Sequence, residues 1–322
     1  MTNPENKTFP TPPVLLIIFA RSECVRKVIA SIRTARPSKI FIAQDAPRPN
    51  RPDDVENCRL ARETTLAEID WDCEIKTLFQ EKNLGAGKGC AAAIQWFFEN
   101  VEEGIVLEDD DLPEPSFFPY CAELLDKYRN DTRVMHIAGY NPLLKPVSDD
   151  SYYFSKLMHC WGFATWRRVI KQYDYKISSW HKLKKTGHMR TIFRQRFPRW
   201  HFTKEFEMYS SRDCNNWDPQ LLYLILSKNG LCINPNVNLI KNIGFGEGAT
   251  FAQNPWSYHG HRTTEPIQFP LKHPDFVFAN QKVDEKILKK SFKLQPLRYF
   301  LVQLAMPYLS TILRIAKWLR FY

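Results

Sequence analysis

Gly104-Ile105-Val106-Leu107-Glu108-Asp109-Asp110-Asp111 is the stretch on which the reading of this chain turns. A short apolar run bounded by polar residues reads as a buried strand, and this one runs straight into four adjacent acids. Those acids do not form one solvated strand face, because successive side chains of a strand point in opposite directions. Neighbouring carboxylates repel and are costly unless a cation or strong donors compensate them. A hard divalent ion, held by one or two carboxylates and by a ligand's phosphate oxygens, is the natural compensator. The plain alternative is an exposed acidic loop that caps the next helix at Ser116.

Upstream, apolar runs and helical stripes alternate. Val14 to Ala20 reads as a parallel strand covered on both faces. In Cys24 to Arg36, Val25, Val28, Ile29 and Ile32 share a helix face. Strand Lys39 to Ala43, helix Asp53 to Ile69, strand Glu74 to Phe79 and helix Gly89 to Asn100 follow, before the strand ending in the acids. Such alternation predicts an α/β fold, a Rossmann-like doubly wound sheet, mixed but mostly parallel. Ligands of such sheets bind beyond the carboxyl ends of the strands. Asp45, just after the second strand, and the acidic cluster are therefore expected to share one crevice.

Composition narrows the partners without choosing one. Hydrophobic residues make up 44% and charged residues 25% of 322, a globular balance that excludes disorder for the bulk. A net charge of +10 favours anionic partners such as nucleotide diphosphates or acidic lipid. The eight cysteines are scattered singly with no C-x-x-C pair, so buried free thiols in a reducing cytoplasm are expected. Val14 to Ala20 is preceded by prolines, not by basic residues, and is too short to cross a bilayer, so it reads as a strand and not a leader.

The segment Ile105-Val106-Leu107-Glu108-Asp109-Asp110, followed by Pro115-Ser116-Phe117-Phe118, resembles the strand and acidic motif of GT-A glycosyltransferases. It is similar to the N-acetylglucosaminyltransferases that initiate complex N-glycans and to bacterial family-2-like nucleotide-diphospho-sugar transferases. Further segments match in order: Pro13 to Ile17 with Arg21-Ser22, Gln44-Asp45, His159 to Arg168, Asn216-Trp217-Asp218, and Asn238 to Thr250. The resemblance implies a GT-A fold and an inverting, divalent-dependent sugar transfer, with Mn2+ or Mg2+ as cofactor. It implies Asp110 as the metal ligand, Asp109 near the ribose or metal waters, and Glu108 near the sugar. Asp45 and Arg21 would lie at the base or its surroundings; Asp111 has no fixed role. Asp218 is the implied general base, although an Asp before Pro219 also suits a helix N-terminus. Phe251 stands where bacterial relatives often carry His or Asn, so His259 and His261 remain weak metal candidates.

Other signals carry less. Gly85-Ala86-Gly87-Lys88-Gly89 has the wrong spacing for a phosphate-binding Walker loop, but its backbone and Lys88 are candidates for the donor; an ordinary turn is the alternative. Trp161, Trp166, Trp200 and Trp217 read as core or loop anchors, or as sugar platforms. The run Lys182 to Arg199 reads as a solvated basic face or a lid, and no nucleic-acid motif accompanies it.

The expected organisation is a disordered stretch at 1–12 and a glycosyltransferase domain at 13–261. Within that domain, 13–150 bind the nucleotide-sugar and 151–261 face the acceptor. A linker and an amphipathic helical tail occupy 262–322. From Tyr308, an apolar face carrying Leu309, Ile312, Leu313, Trp318 and Phe321, with Arg314, Lys317 and Arg320, suits an anionic membrane interface. The expected activity moves a sugar from a nucleotide-diphosphate donor to a glycan or glycolipid acceptor in bacterial surface polysaccharide or lipooligosaccharide assembly. It would act in the cytoplasm, at the inner membrane face if the tail binds lipid. The alternatives are a sugar-nucleotide nucleotidyltransferase and a non-catalytic membrane-active binding protein.

Overall fold

Every residue of β1 (Val14–Ile18) is buried, and α1 (Ser22–Ala35) turns Val25, Val28, Ile29 and Ile32 inward. This computed structural model describes residues 9–143, 145–245 and 262–291. The chain continues through β2 (Lys39–Gln44), α2 (Asp53–Ala67), β3 (Glu74–Phe79), α3 (Gly85–Asn100) and β4 (Glu103–Glu108). These four strands lie parallel in the order β3-β2-β1-β4. The chain thus steps outward from β1 and returns to its other side with β4. That reversal opens a crevice at the carboxyl ends of β1 and β4, where Ile17 lies beside Glu108.

Beyond the acids come β5 (Asp111–Pro113), α4 (Phe117–Lys127), β6 (Val134–Ala138), β7 (Tyr152–Ser155), β8 (Phe163–Trp166) and α5 (Arg167–Ile170). Then follow α6 (Trp180–Lys185), α7 (His188–Ile192), α8 (Arg196–Ser211), α9 (Asp218–Ser227), β9 (Leu231–Pro235), β10 (Ile240–Asn242) and α10 (Gln281–Ser291). The main sheet has eight strands, β3-β2-β1-β4-β8-β6-β9-β7, with β8 antiparallel to both its neighbours and β7 antiparallel to β9. It is the mixed, mostly parallel α/β sheet that the alternation predicts. A two-stranded ribbon of β5 and β10 sets Asn242 opposite Asp111 and brings the later chain back over the acids.

Two hydrophobic clusters hold this body. One fills the sheet and its covering helices; the other gathers Trp180, Phe193, Phe202, Phe206 and Tyr223 from α6 to α9. Residues 262–291 pack on the body. Arg262 donates to the Asn141 and Leu143 carbonyls, Ile267 N–H to Ser116 Oγ, and α10 buries Val283, Ile287 and Leu288 in the second cluster. Ser155 Oγ donates to Asp284 of α10 at 2.6 Å. Among the described residues no helix is long and apolar enough to cross a membrane, and all eight cysteines are free thiols. The tail from residue 292 lies outside the described residues.

Candidate functional site

The acids after β4 are not an exposed loop: Asp109, Asp110 and Asp111 are 2%, 8% and 1% exposed. Their compensation comes largely from within the chain. Arg21, just before α1, donates Nη1 to Asp110 Oδ2 at 2.8 Å and Nη2 to Asp109 Oδ1. Phe19 N–H donates to Asp109 Oδ2 at 3.0 Å. Burial opposes the Arg21 charge, but the two carboxylates still raise its pKa above the usual value. Gly244 permits this closeness, since a Cβ there would overlap Asp110 Oδ2 and Arg21 Nη1. Asp111 is a strut: its Oδ2 accepts from Glu108 N–H at 3.2 Å and Gly162 N–H at 2.9 Å, tying the start of β8 to the end of β4 beside it.

This geometry bears on the metal. Among the described residues no three His, Cys, Asp or Glu side chains converge as an all-protein cage. Both Asp109 oxygens are engaged, whereas Asp110 Oδ1 receives no hydrogen bond from a described residue. The donor set therefore fits a hard ion held by Asp110 and completed by ligand phosphate and water. His259 and His261, and Gly246 to Phe251, lie outside the described residues.

A cavity of about 390 Å³ opens at the carboxyl ends of β1 and β2. Arg21, Asp45, Glu108 and Asp109 all line it, so four sequence-selected residues share one crevice. Asp45 also holds the start of α3, accepting from Leu84 N–H (2.9 Å) and Gly85 N–H (2.8 Å). Burial raises its pKa, against the pull of these backbone donors. Lys88 is not among the lining residues; it is half-exposed and ion-paired with Asp213. The glycines around it serve close packing instead: a Cβ on Gly87 would meet the Asn215 backbone at 2.6 Å.

Asp218 is the first residue of α9, with Trp217 at the N-cap position and Pro219 following. It lines a second cavity of about 340 Å³ with Tyr140, His159, Trp161, His201 and Glu205. Trp217 lines neither cavity, but it bonds to Glu108 in the wall of the first and precedes Asp218 in the wall of the second. Its indole N–H donates to Glu108 Oε1 at 3.2 Å, one residue before Asp218. Burial raises the Glu108 carboxyl, followed by the charges of Asp110 and Asp109, and Asp218 adds to the same shift. Burial lifts the Asp218 carboxyl to about 6, against the pull of its own backbone N–H.

Glu205 and His201, on α8, are site residues the sequence reading did not select. Burial and the nearby Asp218 push the Glu205 carboxyl up to about 7. They follow a basic run whose Lys182, Lys184, Arg190 and Arg194 are exposed, as a solvated face requires. A single acid among apolar helix positions, at Phe202, Glu205 and Phe206, was the available signal.

No protein-family model matches the chain, and no curated protein matches it. Solved structures do. A UDP-glucose pyrophosphorylase complexed with UDP-glucose is 12% identical, covering 76% of this chain and 98% of that one at a TM-score of 0.38. A 4-diphosphocytidyl-2C-methyl-D-erythritolsynthase from Anaerococcus prevotii is 9% identical, covering 76% and 97% at 0.38. HddC from Yersinia pseudotuberculosis, complexed with GMP-PN, is 9% identical, covering 50% and 80% at 0.30. None of these is named a glycosyltransferase. At these scores the likeness is one of general α/β architecture and carries no argument about activity.

Proposed function

We propose that this chain transfers a sugar from a nucleoside-diphosphate carrier to an acceptor hydroxyl. One observation supports it above the others: the Trp217–Glu108 hydrogen bond, which links the residue preceding the buried carboxylate Asp218 to a wall of a nucleotide-sized crevice. In this reading the first cavity takes the donor, with Asp45 at the base and Arg21, Asp109 and Glu108 toward the diphosphate and sugar. A divalent ion, Mn2+ or Mg2+, when bound through Asp110, supplies charge neutralisation for the leaving diphosphate. Asp218 takes the acceptor hydroxyl proton as that oxygen bonds to the anomeric carbon and the carbon–phosphate-oxygen bond breaks. Attack from the face opposite the diphosphate inverts the anomeric centre. A glycan or glycolipid of a bacterial surface polysaccharide is the proposed acceptor, and a membrane contact through residues 308–322 goes with it.

Calorimetric titration with UDP-, GDP-, CMP- and dTDP-linked sugars, with and without Mn2+, tests this reading. One donor binds in a divalent-dependent manner; Asp218→Asn retains that binding and loses turnover. Full turnover in Asp218→Asn removes the assigned base.

A second reading is a sugar-nucleotide nucleotidyltransferase. It agrees better with the names of the matched structures, which include a pyrophosphorylase and an inositol-1-phosphate CTP transferase. Against it, the segment after β1, Phe19-Ala20-Arg21-Ser22, has no glycine-rich basic loop to hold a nucleoside triphosphate. The two readings differ in the product released, pyrophosphate or a nucleoside diphosphate.

A further inference from the structure

We infer that the second cavity is a sugar subsite that discriminates by charge, in which Glu205 and Asp218 accept hydroxyls of an uncharged ring and repel an anionic one. The inference rests on the transferase reading and adds the substrate class on the acceptor side. Among the described residues no lysine or arginine lines this cavity, although the chain as a whole carries a net +10. Its titratable walls among the described residues are Glu205, Asp218, His159, His201, Cys160 and Tyr140. His201 Nε2 stands 4.0 Å from Glu205 Oε2, and burial lowers the His201 pKa, so this ring adds little positive charge near neutrality. Burial raises the Cys160 thiol well above its ordinary value, so it stays neutral too. Above about pH 7, where burial no longer keeps both carboxyls protonated, the anionic side chains of this lining are Glu205 and Asp218.

The rest of the lining suits a pyranose. Tyr140 and Trp161 meet edge to face with centroids 4.8 Å apart, and Phe202, Met158 and Leu222 complete an apolar wall. Sugar C–H faces pack on such rings while hydroxyls donate to carboxylates in charge-assisted hydrogen bonds. The volume, about 340 Å³, lies at the small end of ligand pockets and suits a single ring. A carboxylate or phosphate on that ring would bring another negative charge against Glu205 and Asp218, weakening binding by about tenfold or more.

Saturation-transfer NMR on the full chain at pH 8, with methyl glucoside and methyl glucuronide as probes, tests this with and without a nucleoside diphosphate. The wild type is expected to bind the glucoside about tenfold tighter than the glucuronide. Glu205→Gln is expected to narrow that gap to about threefold, while Glu205→Asp, which keeps the charge, preserves it. Equal binding of the two probes, an unchanged ratio in Glu205→Gln, or no glycoside binding at all overturns the inference. Nucleotide-sugar binding in the same samples separates the cases: if it persists while glycoside selectivity is absent, only the subsite fails. If no nucleotide-sugar binds, the transferase reading fails with it.

Discussion

Trp217 donates its indole N–H to Glu108 at 3.2 Å, and this bond couples the crevice at the end of β4 to the start of α9. The indole is held from behind. Its ring stacks on Phe163 at 5.6 Å, and Phe163 stacks on His136 at 5.0 Å. His136 is fully buried, and burial drives its pKa down to about 3, so it serves as a neutral plate in that column. The stack fixes Trp217, Trp217 fixes Glu108, and the next residue is the proposed base.

Replacing Trp217 by Phe keeps the stack and deletes the donor. A buried carboxyl left without its partner costs about 1–3 kcal/mol. Trp217→Phe is therefore expected to weaken donor binding by about tenfold or more in calorimetry, while near-ultraviolet circular dichroism still reports a packed core.

Arg21 presents the opposite case, a cation whose removal strands two acids. Arg21→Met leaves Asp109 and Asp110 uncompensated, and breaking such a buried pair costs about 3–5 kcal/mol. The melting temperature is expected to fall in EDTA and to recover partly with millimolar Mn2+, because an ion bound to the native state stabilises it by mass action. A melting temperature in EDTA equal to that of the wild type contradicts the compensation argument.

Much of the first half was legible because local signals and tertiary structure agree there. The strand at Glu74–Phe79 matches residue for residue, and the stripe Val25, Val28, Ile29 and Ile32 faces the core. Where they part, a distant residue is responsible. Helix α3 begins at Gly85, four residues before the expected Gly89, because Asp45 accepts its first N–H groups from across the sheet. No pattern within Leu84 to Asn100 contains that bond. Lys88, a donor candidate in the glycine turn, pairs here with Asp213, 125 positions away in sequence, a partner that no local pattern contains. From β6 onward the described strands are only three to five residues long and partly antiparallel, so the order β8-β6-β9-β7 has no periodic trace. Glu205 went unselected for the same reason: its relation to Asp218 exists only once α8 packs on α9.

Asp45 supplies a prediction separable from catalysis. As an external cap on α3, its loss in Asp45→Ala should cost about 1–2 kcal/mol without any ligand present. Chemical denaturation of the ligand-free protein measures this. A residue serving only the nucleobase would leave that midpoint unchanged.

The second cavity governs a pH effect. Asp218 and Glu205 have folded pKa values raised to about 6 and about 7, from ordinary values of 3.8 and 4.5. Between about pH 4 and pH 7 the folded chain therefore binds more protons than the unfolded one, and stability falls as pH rises through that window. Asp284, raised to about 6 by burial, acts in the same direction. The melting temperature in metal-free buffer is expected to be higher at pH 5 than at pH 8, with the difference reduced in the Asp218→Asn, Glu205→Gln double variant. Turnover runs the other way: a base acts only when ionised, so kcat/KM should rise as pH passes about 6.

The identity of the released product tests the account most directly. The intact protein, the nucleotide-sugar it binds, Mn2+ and a neutral glycoside are incubated, and the products are separated by anion-exchange chromatography. The account predicts a nucleoside diphosphate in step with glycoside consumption, absent with Asp218→Asn. Pyrophosphate formed from a nucleoside triphosphate and a sugar phosphate, with no diphosphate released from any nucleotide-sugar, would contradict it.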